Sequence, residues 1–288
     1  MSEARRLFCF GLGYSARRLA ERLLTRGWRV AGTTRSGAKV AALAEAGIEA
    51  FLFDRGRPLD DPAAALAGTT HLLSSVPPDA DGDPVLGQHG ADIARAPGLQ
   101  WVGYLSTTGV YGDRDGGWVD EDSALTPSGE RGRRRLAAER VWLALFGHPA
   151  HLFRLAGIYG PGRSALDTVR AGTAKRIDKP GQVFSRIHVA DIATVLEASI
   201  AKPNPGRAYN LCDDEAAPPA EVIEYACRLL GQPPPPLVPF DDAELSPMAR
   251  SFYADNKRVS NRRIKEELGV RLAYPDYKAG LRALLADA

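Results

Sequence analysis

Residues 7–16 read Leu7-Phe8-Cys9-Phe10-Gly11-Leu12-Gly13-Tyr14-Ser15-Ala16, and this stretch decides the fold. Its four leading apolar residues have the pattern of a parallel-type strand, buried on both faces. Beyond the glycines, Ala16, Leu19, Ala20, Leu23 and Leu24 recur at the three-to-four spacing of an amphipathic helix. Between strand and helix stands G-x-G-x-x-A, an accepted form of the dinucleotide fingerprint. Gly11 permits the tight turn, Gly13 lets a pyrophosphate approach the backbone, and Ala16 keeps the helix close to the sheet. Tyr14 and Ser15 open that helix, whose N-terminus offers N–H groups and a positive dipole end to phosphate. The competing reading is a glycine turn that binds nothing; the placement between a strand and a helix argues against it.

Outward from this stretch the alternation continues. Strands are expected over Trp28–Thr33, Ile48–Phe53, His71–Ser75, Trp101–Ser106 and His151–Leu155, with helical spacing around Val40, Leu43 and Ala44. Such alternation predicts an α/β fold, a doubly wound Rossmann-type parallel sheet covered on both faces. After Leu155 the pattern fades into a turn-rich Gly157–Gly162. Helices are expected at Ala190–Ala201, Glu221–Leu230, Lys257–Leu268 and Tyr277–Leu285. The run Pro233–Pro236 can only be a stiff connector. The expected division is a dinucleotide-binding domain over residues 1–160, to which 187–212 return. A small C-terminal substrate lobe takes 161–186 and 213–288.

The second strand runs out into Thr34-Arg35-Ser36, where an NAD site usually places an acidic partner for the ribose. Arg35 points instead to the 2′-phosphate of NADP(H), clasped bidentately, with Ser36 and Thr34 adding hydrogen bonds. A solvated arginine at a strand end is the alternative, and NAD stays open as cofactor. Asp54, ending the third strand, is placed to accept from the adenine amino group or to sit solvated in its loop.

By these features the chain resembles the extended short-chain dehydrogenase/reductase superfamily, the NAD-dependent epimerase/dehydratase group. Four further segments carry the resemblance: Leu105-Ser-Thr-Thr-Gly-Val-Tyr-Gly112, Phe153-Arg-Leu-Ala-Gly-Ile-Tyr-Gly-Pro-Gly-Arg163, Ile187-His-Val-Ala-Asp191 and Ala208-Tyr-Asn-Leu211. The resemblance implies that Ser75, Val76 and Pro77, leaving the fourth strand, line the cofactor. It implies that Thr107 binds a substrate carbonyl or alcohol, and that Arg163 and Arg186 reach the substrate from the second lobe. His188 reads as a residue that caps or packs at a helix start.

That superfamily uses a Tyr as general acid/base and, four residues on, a Lys that holds the nicotinamide ribose and lowers the Tyr pKa. The matching segment is Arg131-Gly-Arg133-Arg134-Arg135-Leu136-Ala-Ala-Glu139, which puts Arg131 at the Tyr position and Arg135 at the Lys position. An arginine stays protonated at any working pH and cannot serve as the acid. Tyr111 is the nearest phenol in sequence and the candidate substitute; a packed aromatic with a satisfied hydroxyl is its other reading. Arg131 and Arg135 share one helical face. If it looks into the cleft, it awaits an anion; otherwise it is a solvated face with an Arg135–Glu139 pair.

Composition narrows the partners. With 37 Lys and Arg against 35 Asp and Glu, the net charge of +2 gives no general reason for a nucleic-acid or membrane-surface partner. Cys9, Cys212 and Cys227 are too scattered for a disulfide framework, and neither they nor the five histidines have metal-ligand spacing, so no metal is expected. No apolar run is long enough to span a bilayer, and no signal peptide opens the chain. The expectation is a cytoplasmic NADP(H)-binding oxidoreductase or epimerase relative, acting on a small anionic or sugar-like metabolite, with a homodimer possible by analogy. A non-catalytic dinucleotide-binding redox sensor or regulatory module is the alternative.

Overall fold

The computed structural model describes residues 5–145 and 147–287. Contacts divide the chain into two compact units. One runs up to Thr107 and adds Arg133–Arg154 and Ala193–Tyr209; the other comprises Thr108–Gly132, Leu155–Ile192 and everything from Asn210 on.

In chain order the elements begin β1 (Arg6–Phe10), α1 (Tyr14–Leu24), β2 (Arg29–Thr34), α2 (Gly37–Glu45), β3 (Ile48–Leu52), α3 (Pro62–Leu66), β4 (His71–Ser74), α4 (Pro84–Ala94) and β5 (Trp101–Thr107). There follow β6 (Trp118–Val119), α5 (Glu130–Leu143), β7 (His151–Leu155), β8 (Gly157–Tyr159), α6 (Ala165–Arg170), β9 (Arg176–Asp178), β10 (Arg186–His188), α7 (Val189–Ala201) and β11 (Ala208–Leu211). The last are α8 (Pro219–Leu229), β12 (Leu237–Pro239), α9 (Pro247–Phe252), β13 (Arg258–Val259), α10 (Arg262–Glu266) and α11 (Tyr277–Ala286).

The first unit is built on a seven-stranded sheet of order β11-β7-β5-β4-β1-β2-β3. Its pairings from β3 through β5 are parallel, with Leu7 beside Val30 on one flank and His71 on the other. This is the doubly wound Rossmann-type α/β fold. The strand order reverses between β1 and β4, where folds of this class bind ligands. All five β1 residues are buried, as a strand covered on both faces demands. Helix α1 turns Ala16, Leu19, Ala20 and Leu23 inward and leaves Arg17 and Arg18 out. Asp83 caps α4 by accepting from the amides of Val85 and Leu86, and Pro84 starts it at a position that needs no amide donor. The core gathers Phe8, Phe10, Leu72, Val85, Tyr104 and Trp142. Each such side chain stabilises the fold by about 1.5–3 kcal/mol.

The second unit has its own core of Leu166, Val222, Ala226, Tyr277 and Leu281. Three small parallel pairs, β8 with β10, β9 with β12 and β6 with β13, brace it. Two expectations change here. Within the turn-rich 157–162, Gly157–Tyr159 is a strand beside Arg186–His188. The helix expected over 257–268 shrinks to Arg262–Glu266, because Arg258 and Ser260 donate their amides to Gly117 and Val119 in strand fashion. Residues 108–132 and 155–160, read from sequence as part of the dinucleotide domain, fall by contacts in the second unit. Tyr111 anchors the first of these segments through Asn210.

Candidate functional site

The loop leaving β1 is held by backbone and short polar side chains. The Gly11 amide donates to Thr33 Oγ1 at 2.8 Å, the Leu12 amide to the Thr33 carbonyl at 2.8 Å, and Ser75 Oγ donates to the Gly11 carbonyl at 2.5 Å. Gly11 has φ +82°, and a Cβ there would lie 2.9 Å from Ser75 Oγ and 3.1 Å from Val76 Cγ2. That residue must be glycine. Gly13 differs: its φ of −83° suits any residue, and a Cβ on it would meet nothing within 4 Å. Its backbone caps α1 and faces open space that a side chain would enter. Ser15 and Ala16 are buried in the first turn of α1, and Tyr14 is partly exposed. Ser75 and Val76 abut the loop, while Pro77 is exposed beyond them.

Arg35 is exposed directly after β2, and Ser36 caps α2 with its amide donating to Thr34 Oγ1 at 3.3 Å. Asp54 closes its own turn. Its carboxylate accepts from the Gly56 amide at 2.9 Å, and its backbone exchanges two hydrogen bonds with Arg57.

Thr107 ends β5, half-buried. Tyr111 is fully buried, and its hydroxyl donates to Asn210 Oδ1 at 2.7 Å. The buried phenol with its proton on Asn210 fits the reading of Tyr111 as a packed aromatic with a satisfied hydroxyl. Arg135 is half-buried, and its Nη1 donates to the Leu105 carbonyl at 2.7 Å and the Tyr104 hydroxyl at 3.2 Å. Burial pushes that phenol above its ordinary pKa, with the Arg135 charge opposing. Arg131 is exposed, its guanidinium 5.1 Å from the centre of the Phe252 ring. The two arginines therefore serve different surroundings rather than forming a matched pair.

Glu139 does not pair with Arg135. It is buried and takes Arg154 Nη2 at 2.9 Å and Nε at 3.2 Å, together with the Ser106 hydroxyl at 2.5 Å. The sequence held a signal for this cluster, since Glu139 stands in the Leu-x-x-Glu register and Ser106 and Arg154 each lie in a superfamily segment. What it lacked was the partner.

In the second unit, Arg163 and Arg186 line one cavity of about 640 Å³. Arg186 Nη1 donates to the carbonyls of Phe184 and Ala217 at 2.7 and 3.1 Å. Beside it, burial pushes the Asp213 carboxyl up to about 8, although the Arg186 charge pulls it down. His188 accepts the Ala190 amide at 3.2 Å and packs on Tyr159 and Tyr274, as a helix-start residue does. Among the described residues, no group of three or more His, Cys, Asp or Glu could hold a metal ion. No helix there is long and apolar enough to cross a membrane.

The chain matches no protein-family model. It is 30% identical to protein YeeZ of Escherichia coli K12, over 92% of this chain and 95% of that protein. A solved structure of a functionally unknown conserved protein from Silicibacter pomeroyi is 56% identical, with a TM-score of 0.92 and 99% of each chain covered. Another, from Methylobacillus flagellatus, is described provisionally as an NAD-dependent epimerase/dehydratase; it is 28% identical over 99% of both chains, with a TM-score of 0.75. This chain belongs to the extended short-chain dehydrogenase/reductase superfamily. The chain is also similar to a 3-diazoavenalumate denitrifying reductase from a Streptomyces species, 27% identical over 77% of this chain and 74% of that one.

Proposed function

We propose that this superfamily member is an NADP(H)-dependent oxidoreductase acting on a small anionic or sugar-like metabolite. One observation carries the reading: Gly13 presents bare backbone to open space at the start of α1, beside a Gly11 that no other residue can replace. A nicotinamide cofactor would supply or accept a hydride. Gly11, Gly13, Tyr14, Ser15 and Ala16 would hold its pyrophosphate, with Ser75, Val76 and Pro77 alongside. Arg35 and Ser36 favour NADP over NAD, because an exposed guanidinium after β2 attracts a phosphate and repels nothing on it. Asp54 would contact the adenine through what its turn leaves accessible.

Thr107 is the remaining hydroxyl candidate toward substrate. Arg135, fixed on β5, keeps the cationic half of the superfamily Lys role and would donate to ribose hydroxyls. Arg131 would meet substrate charge. The name of the reductase relative supports reductive chemistry, and the reading extends to a cytoplasmic homodimer.

Titration with NADP(H) and NAD(H), followed by NADPH oxidation across carbonyl and alcohol substrates, tests this reading. Arg35→Ala should remove most of the NADP preference, about 1–3 kcal/mol for a charge-assisted contact. Equal affinities for the two cofactors in the parent protein would refute the NADP assignment. The lost Tyr at position 131 favours a second reading, a dinucleotide-binding sensor, and tight binding without turnover would select it.

A further inference from the structure

The cavity in the second unit is bounded by α6, β10, α8 and α11. At about 640 Å³ it falls in the ordinary size range of small-molecule sites. Its charged lining is Arg163, Lys175 and Arg186 against a single carboxylate, Asp167. Asp167 is spent on the capping box of α6, accepting from Ser164 N at 2.7 Å and Ser164 Oγ at 2.6 Å. The net field is therefore positive. Its remaining walls are mainly apolar, with Val222, Ile223 and Leu281 prominent, and carry the hydroxyl-bearing Thr168, Thr173, Tyr159 and Tyr277 among them.

Arg186 is the decisive side chain. Both of its hydrogen bonds to described residues leave from Nη1. A guanidinium carries five N–H donors in a fixed fork, so Nη2 and Nε remain for an anion that enters the cavity. The nearby Asp213 carboxyl is buried, its Oδ2 has no hydrogen-bond partner, and burial pushes it up to about 8 against the pull of the Arg186 charge, so it offsets that charge only in part. A cationic fork beside hydrocarbon walls suits a ligand with one anionic end and an apolar body. It suits a polyol less, because Val222, Ile223 and Leu281 offer no partner to the hydroxyls that would lie against them.

We propose that this cavity binds an apolar-bodied carboxylate of aryl-acid size, its carboxylate on the Arg186 fork and its hydrocarbon against Val222, Ile223 and Leu281. This narrows the metabolite of the preceding section to one class and rests on that reading's small-molecule anion, not on hydride transfer.

The test is calorimetric titration of the full-length protein with cinnamate, cinnamamide and UDP-glucose, with NADPH titrated separately. Cinnamate should bind at least about tenfold more tightly than cinnamamide, the ratio expected for one charge-assisted contact. UDP-glucose should bind more weakly than cinnamate. Arg186→Gln should lower cinnamate affinity at least about tenfold, and Ile223→Ser should lower it several-fold, with NADPH affinity unchanged in both. The amide comparison needs no variant, so it decides the matter even if Arg186→Gln fails to fold. Equal binding of acid and amide, or UDP-glucose binding in preference to cinnamate, overturns the proposal. Absent cinnamate binding with intact NADPH binding overturns it alone, whereas absent NADPH binding defeats the cofactor reading and leaves the cavity's result standing.

Discussion

Gly13→Val separates the fold from the ligand site more cleanly than any other change in the glycine loop. With φ −83° and ψ −170°, position 13 is extended backbone open to any residue, and no atom lies within 4 Å of a Cβ built there. Replacing a glycine helix cap with valine costs about 1 kcal/mol. Narrowing the unfolded ensemble returns about 0.4–1 kcal/mol. Stability should thus stay within roughly 1 kcal/mol of the parent. The isopropyl group, however, would stand where a pyrophosphate must approach the amides of α1. Losing two charge-assisted hydrogen bonds at about 1.5–3 kcal/mol each and a helix-end contribution of about 0.3–1 kcal/mol makes about 3–7 kcal/mol. That corresponds to a fall in affinity of at least about a hundredfold. Thermal unfolding and NADPH titration on the same sample read both quantities. Gly11→Ala is the control: its left-handed φ of +82° and the 2.9 Å approach to Ser75 Oγ should cost stability as well. A folded Gly13→Val protein that binds NADPH within threefold of the parent would refute the loop as a phosphate cradle.

Three more outcomes follow from the buried polar groups. Glu139→Ala removes the carboxylate that Arg154 meets through two nitrogens in the core and should cost about 3–5 kcal/mol in urea unfolding; a loss under about 1 kcal/mol would mean that the other acceptors of Arg154 suffice. Tyr111→Phe removes the Asn210 hydrogen bond, so stability should drop by about 0.5–1.5 kcal/mol while cofactor binding and turnover hold. A large selective loss of turnover would restore Tyr111 as the acid. Asp213 holds its proton in the folded state up to about pH 8 but releases it near 4 when unfolded, so its contribution is present at low pH and is lost as pH rises toward 8. Asp213→Asn should flatten the stability–pH curve between about pH 4 and 8, and an unchanged slope would show that the carboxyl is already ionised.

Six sheet strands were legible because a parallel sheet demands apolar runs, which Leu7–Phe10 and Trp101–Leu105 display. Short strands carry no such signature. Gly157–Tyr159 looks like a turn until Arg186–His188 lies beside it, and Arg258–Val259 looks helical until Trp118–Val119 takes its hydrogen bonds. The glycine loop was readable because Gly11 is fixed by local backbone conformation. Side-chain commitments were not, since they depend on partners far along the chain: Glu139 meets Arg154 and Ser106, not the arginine four residues before it, and Tyr111 meets Asn210. Helical spacing alone put Arg131 and Arg135 on one face, yet one stacks on Phe252 and the other is tied to β5.

That difference bears on the chemistry. Neither arginine can release a proton near neutral pH, and Tyr111 is withdrawn into the interior. Thr107 remains at the end of β5, but an aliphatic hydroxyl is far too weak an acid to protonate an alkoxide product unaided. A carbonyl substrate would then have to draw its proton from water or from a group outside the superfamily's catalytic positions. An acceptor that is already cationic, or whose reduced form is a stabilised anion, needs hydride alone and loses nothing by the missing Tyr. In such a reaction Arg135 contributes a permanent charge held in place by the Leu105 carbonyl, useful for binding and silent in proton transfer. The substrate panel therefore discriminates beyond yes or no. Turnover confined to proton-independent hydride acceptors would make the departure from the superfamily's Tyr and Lys a change of substrate chemistry rather than a loss of catalysis.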